Sequence, residues 1–302
     1  MSETVYHRMS KEIEKVYIGE PGVIRAVCAA MFAGGHVLIE GVPGLAKTTL
    51  AKGLAMAAGA EFQRIQFTAD LMPADITGSS VYRIDKGEFK FIAGPIFTHV
   101  LLADEINRAP ARTQSALLEA MQEQQVSVDG KTYPLKSPFF VIATQNGTDE
   151  LGTYPLPESQ LDRFMFRIRL GYPTAEQERR IIMQAAMPEP VITPVLSVPE
   201  ILDIRKTLEH VRVSDEMAQY ISDLIRETRN DPAIERGASP RAGTMLLRAA
   251  RGYAYLRQSA FLIPDDVLEA FPLVLNHRLV LTDEGESVDT IITRIIRRVR
   301  FK

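Results

Sequence analysis

Along residues 1–170, short apolar runs alternate with segments whose apolar residues recur at helical spacing. The spacing predicts helical structure within residues 1–35 and in two later segments, 48–58 and 111–123. Because strands and helices alternate, we expect a parallel sheet with helices packed against it. Apolar runs predict a strand at residues 36–40 and buried strands at 98–103 and 139–144, and residues 61–67 and 164–170 fit two further strands.

Two β-hairpins are expected in addition to the strands of the sheet. Residues 81–92 contain two short arms around Asp85-Lys86-Gly87, and residues 125–135 contain two arms around Asp129-Gly130. Asp-Gly between alternating arms is a strong signal for a two-residue hairpin turn. The second hairpin is therefore better defined by the sequence than the first.

The pattern changes close to residue 172, where a segment rich in prolines begins. The fold class is therefore predicted to be α/β. We expect a three-layer αβα sandwich with a parallel sheet over residues 1–172, followed by a smaller all-helical domain over residues 173–302. The helical spacing in that second part predicts helices at 200–209, 214–229, 241–258 and 264–271.

Composition narrows the classes of function. The chain has 302 residues, a net charge of −3 and one cysteine, Cys28. Nearly balanced charge does not favour a dedicated nucleic-acid or membrane-surface binder, and a single cysteine excludes an internal disulfide. The first residues lack the pattern of a signal peptide, and no apolar run is long enough to span a bilayer. We therefore expect a cytoplasmic protein.

A glycine-containing loop lies between the first predicted strand and the next predicted helix. Backbone N–H groups in such a loop bind phosphate oxygens, and glycines let the backbone approach them closely. We expect Lys47 to bind the β- and γ-phosphates and Thr48 to bind Mg²⁺, with Thr49 beside it. Ala46 stands where a glycine usually precedes the lysine, so a chance turn with a surface lysine is the alternative. The loop is Gly41-Val42-Pro43-Gly44-Leu45-Ala46-Lys47-Thr48.

Two carboxylates, Asp104 and Glu105, follow the apolar run at 98–103. Open α/β sheets bind ligands at the carboxyl ends of their strands. We therefore expect Asp104 to hold Mg²⁺, and we expect Glu105 to polarise the attacking water as a general base. The alternative is a pair of solvated acids at a strand end, and the preceding phosphate loop argues against it.

Three further residues are candidates for the same site. Asn146 ends the strand at 139–144 and could orient the attacking water, although Asn followed by Gly also favours a turn. Arg163 and Arg241 could stabilise the transition-state charge, as an arginine supplied by a neighbouring subunit does. Taken singly, each arginine could equally be a surface charge, and Arg108 is a lesser candidate for the same role.

Together these motifs resemble the AAA+ ATPases, and among them the MoxR family, over nearly the whole chain. The variation at Ala46 is similar to the phosphate loop of that family. The resemblance is carried by the glycine loop together with residues 104–110, 113–123, 143–146, 161–164 and 239–242.

The resemblance implies a role for each matching residue. Asn146 matches the sensor-1 position, and Arg163 matches the arginine finger that acts in trans. Arg241 matches the sensor-2 arginine of a C-terminal helical lid, and Ile18-Gly19 match the segment that contacts adenine. The two hairpins are similar to insertions that face the central pore or a partner in related proteins.

The family also implies an assembly and a partner. We expect an ATPase that uses ATP and Mg²⁺ in a homo-oligomeric ring, commonly a hexamer, with ATP at the hinge between core and lid. Hydrolysis would drive chaperone-like remodelling of a protein client, with a von Willebrand factor A domain protein as the implied partner. Nucleic acid is not an expected partner.

Two alternatives remain open. A nucleic-acid motor related to the MCM helicases would need basic hairpin tips, whereas both tips here are mixed in sign. The basic segment 294–302 is the only concentrated positive patch, and we favour an amphipathic terminal element with a solvated face as its explanation. The second alternative is a scaffold that binds ATP and barely hydrolyses it.

Overall fold

The computed structural model describes residues 4–42, 44–146, 153–282 and 285–301. Pro43 of the glycine loop therefore lies outside the described residues. The strands are β1 (Val37–Glu40), β2 (Phe62–Gln66), β3 (Gly78–Arg83), β4 (Glu88–Ala93), β5 (Val100–Asp104), β6 (Gln125–Val128), β7 (Lys131–Pro134), β8 (Phe140–Gln145), β9 (Phe166–Arg169), β10 (Ile234–Arg236) and β11 (Val280–Leu281).

Helices account for most of the remaining described chain, and a 3₁₀ turn at Ile106–Arg108 follows β5. The helices are α1 (Val5–Ile13), α2 (Pro21–Phe32), α3 (Lys47–Ala57), α4 (Pro73–Thr77), α5 (Ala111–Glu123), α6 (Glu158–Leu161), α7 (Ala175–Ala185), α8 (Val198–Glu209), α9 (Asp215–Asn230), α10 (Pro240–Leu256), α11 (Pro264–Leu275) and α12 (Val288–Arg298).

Five parallel strands form the central sheet in the order β2-β5-β8-β1-β9. These are the five strands expected from the sequence, so that prediction is confirmed. Their carboxyl ends share one edge, because every pair in the sheet is parallel. That edge carries the glycine loop after β1, Glu105 after β5 and Asn146 after β8.

Both faces of the sheet are buried at its three central strands, and successive residues of β1, β5 and β8 alternate between two apolar clusters. Val37 and Ile39 of β1 belong to one cluster, which also contains residues of α2, α3 and the C-terminal helices. Leu38 belongs to the other, which contains Leu117 and Leu118 of α5. This double burial explains why the strands appear in the sequence as continuous apolar runs.

The two predicted hairpins are present as separate antiparallel pairs, β3–β4 and β6–β7. The register of the second pair places Val128 opposite Lys131, so Asp129 and Gly130 form the turn as expected. Both turn residues have positive φ, which suits an Asp-Gly turn of this kind.

The structure differs from the sequence pattern in several elements. The N-terminal helical segment is two helices, α1 and α2, separated by residues 14–20. The proline-rich segment, predicted only as a break, contains helix α7. The C-terminal part is predominantly helical, as predicted, but it also contains the short antiparallel pair β10–β11.

The C-terminal helices pack directly on the sandwich. Helix α10 approaches α2 so closely that a Cβ atom on Gly252 would lie 2.7 Å from the carbonyl oxygen of Ala29. A glycine is needed here because any side chain would push the two helices apart. In the part of the chain that the structure describes, no helix combines the length and apolar character needed to cross a membrane.

Candidate nucleotide-binding site

The glycine loop joins the end of β1 to the start of α3, as the sequence predicts. Gly44 has a φ of 88°, and Ala46 has a φ of 53° just before the helix begins at Lys47. A Cβ atom on Gly41 would lie 3.0 Å from Leu45 Cδ1 and 3.1 Å from the Leu170 carbonyl oxygen. The loop therefore has the left-handed turns that bring backbone N–H groups together at a helix N-terminus.

Lys47 is buried and turned toward the end of β8. Its Nζ donates to the Gly41 carbonyl oxygen at 2.7 Å and to Asn146 Oδ1 at 3.2 Å. The structure thus brings together two residues that the sequence assigns to one site from positions far apart in the chain. Thr48 and Thr49 follow in the first turn of α3, and both are half-buried.

Asp104 ends β5 with both carboxylate oxygens hydrogen-bonded. Oδ1 accepts a hydrogen bond from Thr144 Oγ1 at 2.5 Å. Oδ2 accepts from Arg64 Nη2 at 2.7 Å and from Arg64 Nε at 3.1 Å. Arg64 lies on the neighbouring strand β2, so it places a positive charge beside the carboxylate that is expected to bind Mg²⁺.

Glu105 lies beside this pair in a left-handed backbone conformation with a φ of 57°. Such a conformation costs a non-glycine residue on the order of 1–3 kcal/mol and is often retained at functional sites. The Glu105 N–H donates to Thr144 Oγ1 at 2.9 Å, so the same threonine hydroxyl contacts both acidic residues.

Three side chains hold the Glu105 carboxylate. Asn146 Nδ2 donates to Oε1 at 2.9 Å, and Gln66 Nε2 donates to Oε2 at 2.7 Å. Arg108 Nε lies 3.1 Å from Oε2. Because Asn146 also accepts from Lys47, its side-chain amide connects the phosphate loop to Glu105.

A cavity of about 140 Å³ lies beside the glycine loop. Ile18 and Gly19, expected to contact adenine, both line it. A Cβ atom on Gly19 would lie 2.4 Å from the Tyr17 hydroxyl oxygen and 2.5 Å from its ring carbon Cζ, so this position is closed to larger residues. None of the described residues that line this cavity belongs to α10. The lining residues are 17–20, 23, 44–46, 170–174, 177 and 181.

Arg163 lies after α6 and is turned toward α5. Its Nη1 donates to the Leu118 carbonyl oxygen at 2.8 Å, while its Nε is buried without a hydrogen-bond partner among the described residues. The structure does not bring Arg163 into contact with Lys47, Asp104 or Glu105 of the same chain.

Arg241, in the first turn of α10, lies next to Arg163 in the fold rather than beside the glycine loop. Its Nη1 is 3.7 Å from Asp162 Oδ2, and its side chain is 59% exposed. Asp162 immediately precedes Arg163, so both candidate arginines belong to one neighbourhood.

Comparisons with known proteins agree with this arrangement. Residues 36–166 match the family described as the ATPase family associated with various cellular activities (AAA), and residues 226–295 match the AAA lid domain. The chain is 42% identical to Chaperone MoxR1 of Mycobacterium tuberculosis over 95% of its own length and 80% of that protein. The chain belongs to the MoxR family of AAA+ ATPases.

Two further relatives match the chain over nearly its whole length. The Bacillus subtilis protein YeaC is 42% identical over 96% of the chain and 92% of its own length. The crystal structure of a candidate ATPase from Cytophaga hutchinsonii superposes with a TM-score of 0.91 and 39% identity, covering 99% of this chain and 96% of that one. The predicted fold, an AAA+ sandwich with a C-terminal helical lid, is therefore confirmed.

The residues at the sheet edge of this MoxR protein fit a magnesium–nucleotide complex. Lys47 already donates two hydrogen bonds at the mouth of the loop, and the left-handed turns at Gly44 and Ala46 shape a phosphate cradle. The described residues contain no cluster of three or more metal-ligating side chains. A site with one or two protein oxygens suits Mg²⁺, which normally takes its other ligands from phosphate and water.

Sequence reasoning missed Arg64 and Gln66, the two residues of β2 that contact Asp104 and Glu105. Their sequence signal is only the spacing of two polar residues within a short strand. The contact of these two residues with the carboxylates becomes apparent only once β2 is known to pair with β5, because the register places Gln66 directly opposite Asp104.

Proposed function

We propose that this MoxR-family protein hydrolyses ATP to ADP and phosphate with Mg²⁺, in the cytoplasm, and that hydrolysis drives remodelling of a protein client. The observation that carries the proposal is the connected set Lys47, Asn146 and Glu105. Lys47 donates to one end of the Asn146 amide, and the other end of that amide donates to Glu105. A phosphate-binding cation, a water-orienting amide and a general base are thereby held in contact.

Each residue has a distinct task in this proposal. The backbone of Gly41 to Thr48 binds the phosphates, and Lys47 neutralises the charge near the β- and γ-phosphates. Thr48 and Asp104 hold Mg²⁺, which neutralises charge on the same phosphates when bound. Asn146 orients the attacking water, and Glu105 accepts its proton as that water attacks the γ-phosphorus.

The Glu105 carboxylate is held in place but can still accept a hydrogen bond from water. Among the described residues, Gln66 and Arg108 share Oε2, whereas only Asn146 contacts Oε1. Because each carboxylate oxygen can accept two hydrogen bonds, Oε1 is the atom at which we expect the attacking water to bind.

We further propose that a neighbouring subunit completes the site. Arg163 and Arg241 lie together around Asp162, and neither contacts the glycine loop of its own chain in the described residues. A repeated head-to-tail interface in a closed ring, which we propose to be a hexamer, would carry these arginines to the next subunit's γ-phosphate.

The exposed surface favours a protein client over nucleic acid. The β3–β4 hairpin exposes apolar side chains, among them Ile84 at 89% and Phe89 at 73%. Its Arg83 is paired with Asp85 at 2.6 Å, and Lys86 at the tip is followed by Glu88, so the tip is mixed in sign rather than strongly positive. Phosphate tracking needs a positive surface, so we propose that a protein, with a von Willebrand factor A domain partner, is the target.

The basic C-terminal segment also gives little support to the nucleic-acid alternative. Residues 294–298 of this segment belong to the amphipathic helix α12. Arg294 pairs with Asp231 and Glu286, and Arg298 pairs with Glu227 and Asp231. Much of the positive charge of α12 is therefore neutralised within the chain.

A steady-state ATPase assay of wild type, Glu105→Gln and Glu119→Gln tests the proposal. Loss of the general base should lower kcat by about a hundredfold or more, while ATP binding is retained. Glu119 is an exposed carboxylate on α5, so its amide variant controls for the charge change. If wild type and Glu105→Gln are equally slow in the assembled state with a partner present, the protein is a nucleotide-gated scaffold.

The client is tested by a pull-down with Glu105→Gln held in ATP and Mg²⁺. Recovery of a protein containing a von Willebrand factor A domain is the expected result. Recovery of nucleic acid alone, together with ATPase activity that DNA stimulates and raised salt abolishes, would replace the proposal with the motor alternative.

A further inference from the structure

Three arginines line a cavity at the opposite end of the sheet from the glycine loop. The cavity has a volume of about 220 Å³, and its floor includes Phe32 and Gly34, which precede β1. Arg205 enters it from α8, and Arg248 and Arg251 enter it from α10. Because residues three apart on a helix are neighbours, the two arginines of α10 lie on the same side.

Two of these arginines have a structural role that uses only part of their hydrogen-bonding capacity. Arg205 donates through Nε and Nη2 to the Met31 carbonyl oxygen, at 3.3 and 2.9 Å. Arg248 Nη2 donates to the carbonyl oxygens of Ala33 and Gly34, at 3.0 and 3.3 Å. Both cations therefore cap the carboxyl end of α2, which favours positive charge. Arg205 Nη1 and Arg248 Nη1 remain available.

Arg251 has no such role in the described structure. Its Nε is buried without a hydrogen-bond partner, and its guanidinium makes no hydrogen bond to any described residue. A buried guanidinium N–H without an acceptor is costly, since charged donors lose strong interactions with water on burial. Arg251 also lines the cavity, so its guanidinium group borders this space.

The cluster also lacks a compensating negative charge. Among the described residues, no carboxylate lies within 4.0 Å of the guanidinium nitrogens of Arg205, Arg248 or Arg251, although Glu209 lines the same cavity. Burial, and next to it the charge of Arg248, lower the pKa of Arg205 to about 10. Burial also lowers the pKa of Arg248. The charge of Arg248 therefore disfavours the charged form of Arg205, and burial disfavours both charges.

We propose that this cavity binds a phosphate-type oxyanion. Guanidinium groups present paired N–H donors that match the oxygens of phosphate, and three of them suit a dianion better than a single carboxylate. The cavity volume is several times the volume that one water molecule occupies in the liquid, which is about 30 Å³. Gln124, at the carboxyl end of α5, lines the same cavity and offers an amide donor.

Gln124 connects this cavity to the β6–β7 hairpin. Its backbone carbonyl oxygen accepts from Leu135 N–H at 2.9 Å, so it lies at the base of the β6–β7 hairpin. An anion held between Gln124 and the arginines of α8 and α10 would join that hairpin to the C-terminal helices.

Isothermal titration with inorganic phosphate tests the proposal. The protein is first saturated with a non-hydrolysable ATP analogue and Mg²⁺, so that both the glycine loop and the γ-phosphate position are occupied and cannot bind the added phosphate. Wild type should bind phosphate saturably, and Arg251→Gln should weaken binding by about tenfold or more, because charge-assisted hydrogen bonds are lost. Arg226→Gln removes the same charge from the exposed surface of α9 and should leave binding unchanged.

Several outcomes would overturn the proposal. One is that wild type shows no saturable binding of phosphate. Another is that Arg251→Gln and Arg226→Gln weaken phosphate binding equally. Tighter binding of free glutamate than of phosphate would assign the cavity to an acidic side chain of another protein. Circular dichroism checks the fold of Arg251→Gln. If that variant is unfolded, Arg248→Gln, at a more exposed arginine of the same cavity, takes its place.

Discussion

At the scale of single residues, the tightest constraint beside the glycine loop is the contact between Gly19 and Tyr17. Tyr17 is buried, and its ring occupies the space where a side chain at position 19 would lie. The ring cannot move away freely, because it belongs to the main apolar cluster. Any side chain at position 19 must therefore change the shape of the cavity.

We expect Gly19→Ala to weaken nucleotide binding by about tenfold, because the displaced ring or backbone narrows the cavity. Fluorescent-nucleotide titration measures the effect. Gly22→Ala is the matched control, since a Cβ atom at Gly22 has no atom within 4 Å. Equal affinities of the two variants would show that Gly19 does not shape the nucleotide site.

The roles of the residues at the sheet edge remain predictions, but the positions of Lys47 and Glu105 could be predicted, because each lies just after a predicted strand or its glycine loop. Arg64 and Gln66 could not, because polar residues on an edge strand are usually solvated. Only the pairing of β2 with β5, which no local pattern specifies, places them against the two carboxylates.

At the scale of elements, two residues that follow α11 hold the segment that carries Arg163 in place through hydrogen bonds. Arg278 is 4% exposed, and its Nε donates to Asp162 Oδ1 at 2.8 Å. Its Nη2 donates to the carbonyl oxygens of Asp162 and Phe164, at 2.9 and 2.7 Å. Asn276 adds a hydrogen bond to the Arg167 carbonyl oxygen at 2.9 Å. The C-terminal helices thereby fix both ends of this short segment.

Replacing Arg278 by Leu should lower the free energy of unfolding by about 3–5 kcal/mol, because Asp162 and two carbonyl groups lose a buried partner. Chemical denaturation measures the loss. Arg180→Leu, at an exposed site on α7, should cost less than about 0.5 kcal/mol. If Arg278→Leu has the same denaturation midpoint as wild type, the hydrogen bonds of Arg278 contribute nothing to stability.

His36 joins two other elements at the opposite edge of the sheet. Its Nδ1 accepts from Val141 N–H of β8 at 3.0 Å, so Nε2 carries the hydrogen and donates to the Met121 carbonyl oxygen of α5 at 3.2 Å. The neutral ring satisfies both contacts, whereas a protonated ring could not accept from Val141. Burial is the main cause that lowers the pKa of His36 to about 4.

Stability should therefore fall as the pH is lowered from about 6.5 to about 4. In this window the unfolded state binds a proton at His36 and the folded state does not, so the loss is about 1.4 kcal/mol per pH unit. Below pH 4 the His36 contribution levels off. Denaturation across this range should show a smaller slope for His36→Gln than for the exposed control His210→Gln, and equal slopes would contradict the assignment.

The local sequence pattern also explains why the prediction missed helix α7 and the β10–β11 pair. Helix α7 lies between prolines that suggest a loop, yet Thr174 and Gln177 form a reciprocal capping box at its start. That Thr-x-x-Gln spacing was a usable signal for a helix start. The β10–β11 pair had no comparable signal, because two very short strands acquire their register only from the helices around them.

At the scale of the whole molecule, the position of Arg163 predicts complementation between two inactive variants. Arg163→Ala keeps its own Glu105 but cannot complete a neighbour's site, whereas Glu105→Gln keeps Arg163 but lacks the base. If arginines act across a subunit boundary, mixed rings contain some complete sites.

Mixing the two variants should restore ATPase activity at least several-fold above the sum of the separate proteins, since an arginine supplied in trans is worth roughly 10³ or more in kcat. The double variant Glu105→Gln/Arg163→Ala, mixed with Arg163→Ala, is the control and should restore nothing. Absence of rescue in both mixtures, with mixed assembly shown by native mass spectrometry, would mean that Arg163 does not act in trans.

The position of β1 in the sheet has a consequence for how the chain is made. β1 leaves the ribosome early, but its two neighbours, β8 and β9, are completed only at Gln145 and Arg169. Until then both edges of an apolar strand are unpaired, and unpaired edges attract other strands. Parallel pairings this distant in sequence also form slowly. The interval between synthesis of β1 and of β9 is therefore when a nascent chain is most prone to aggregate.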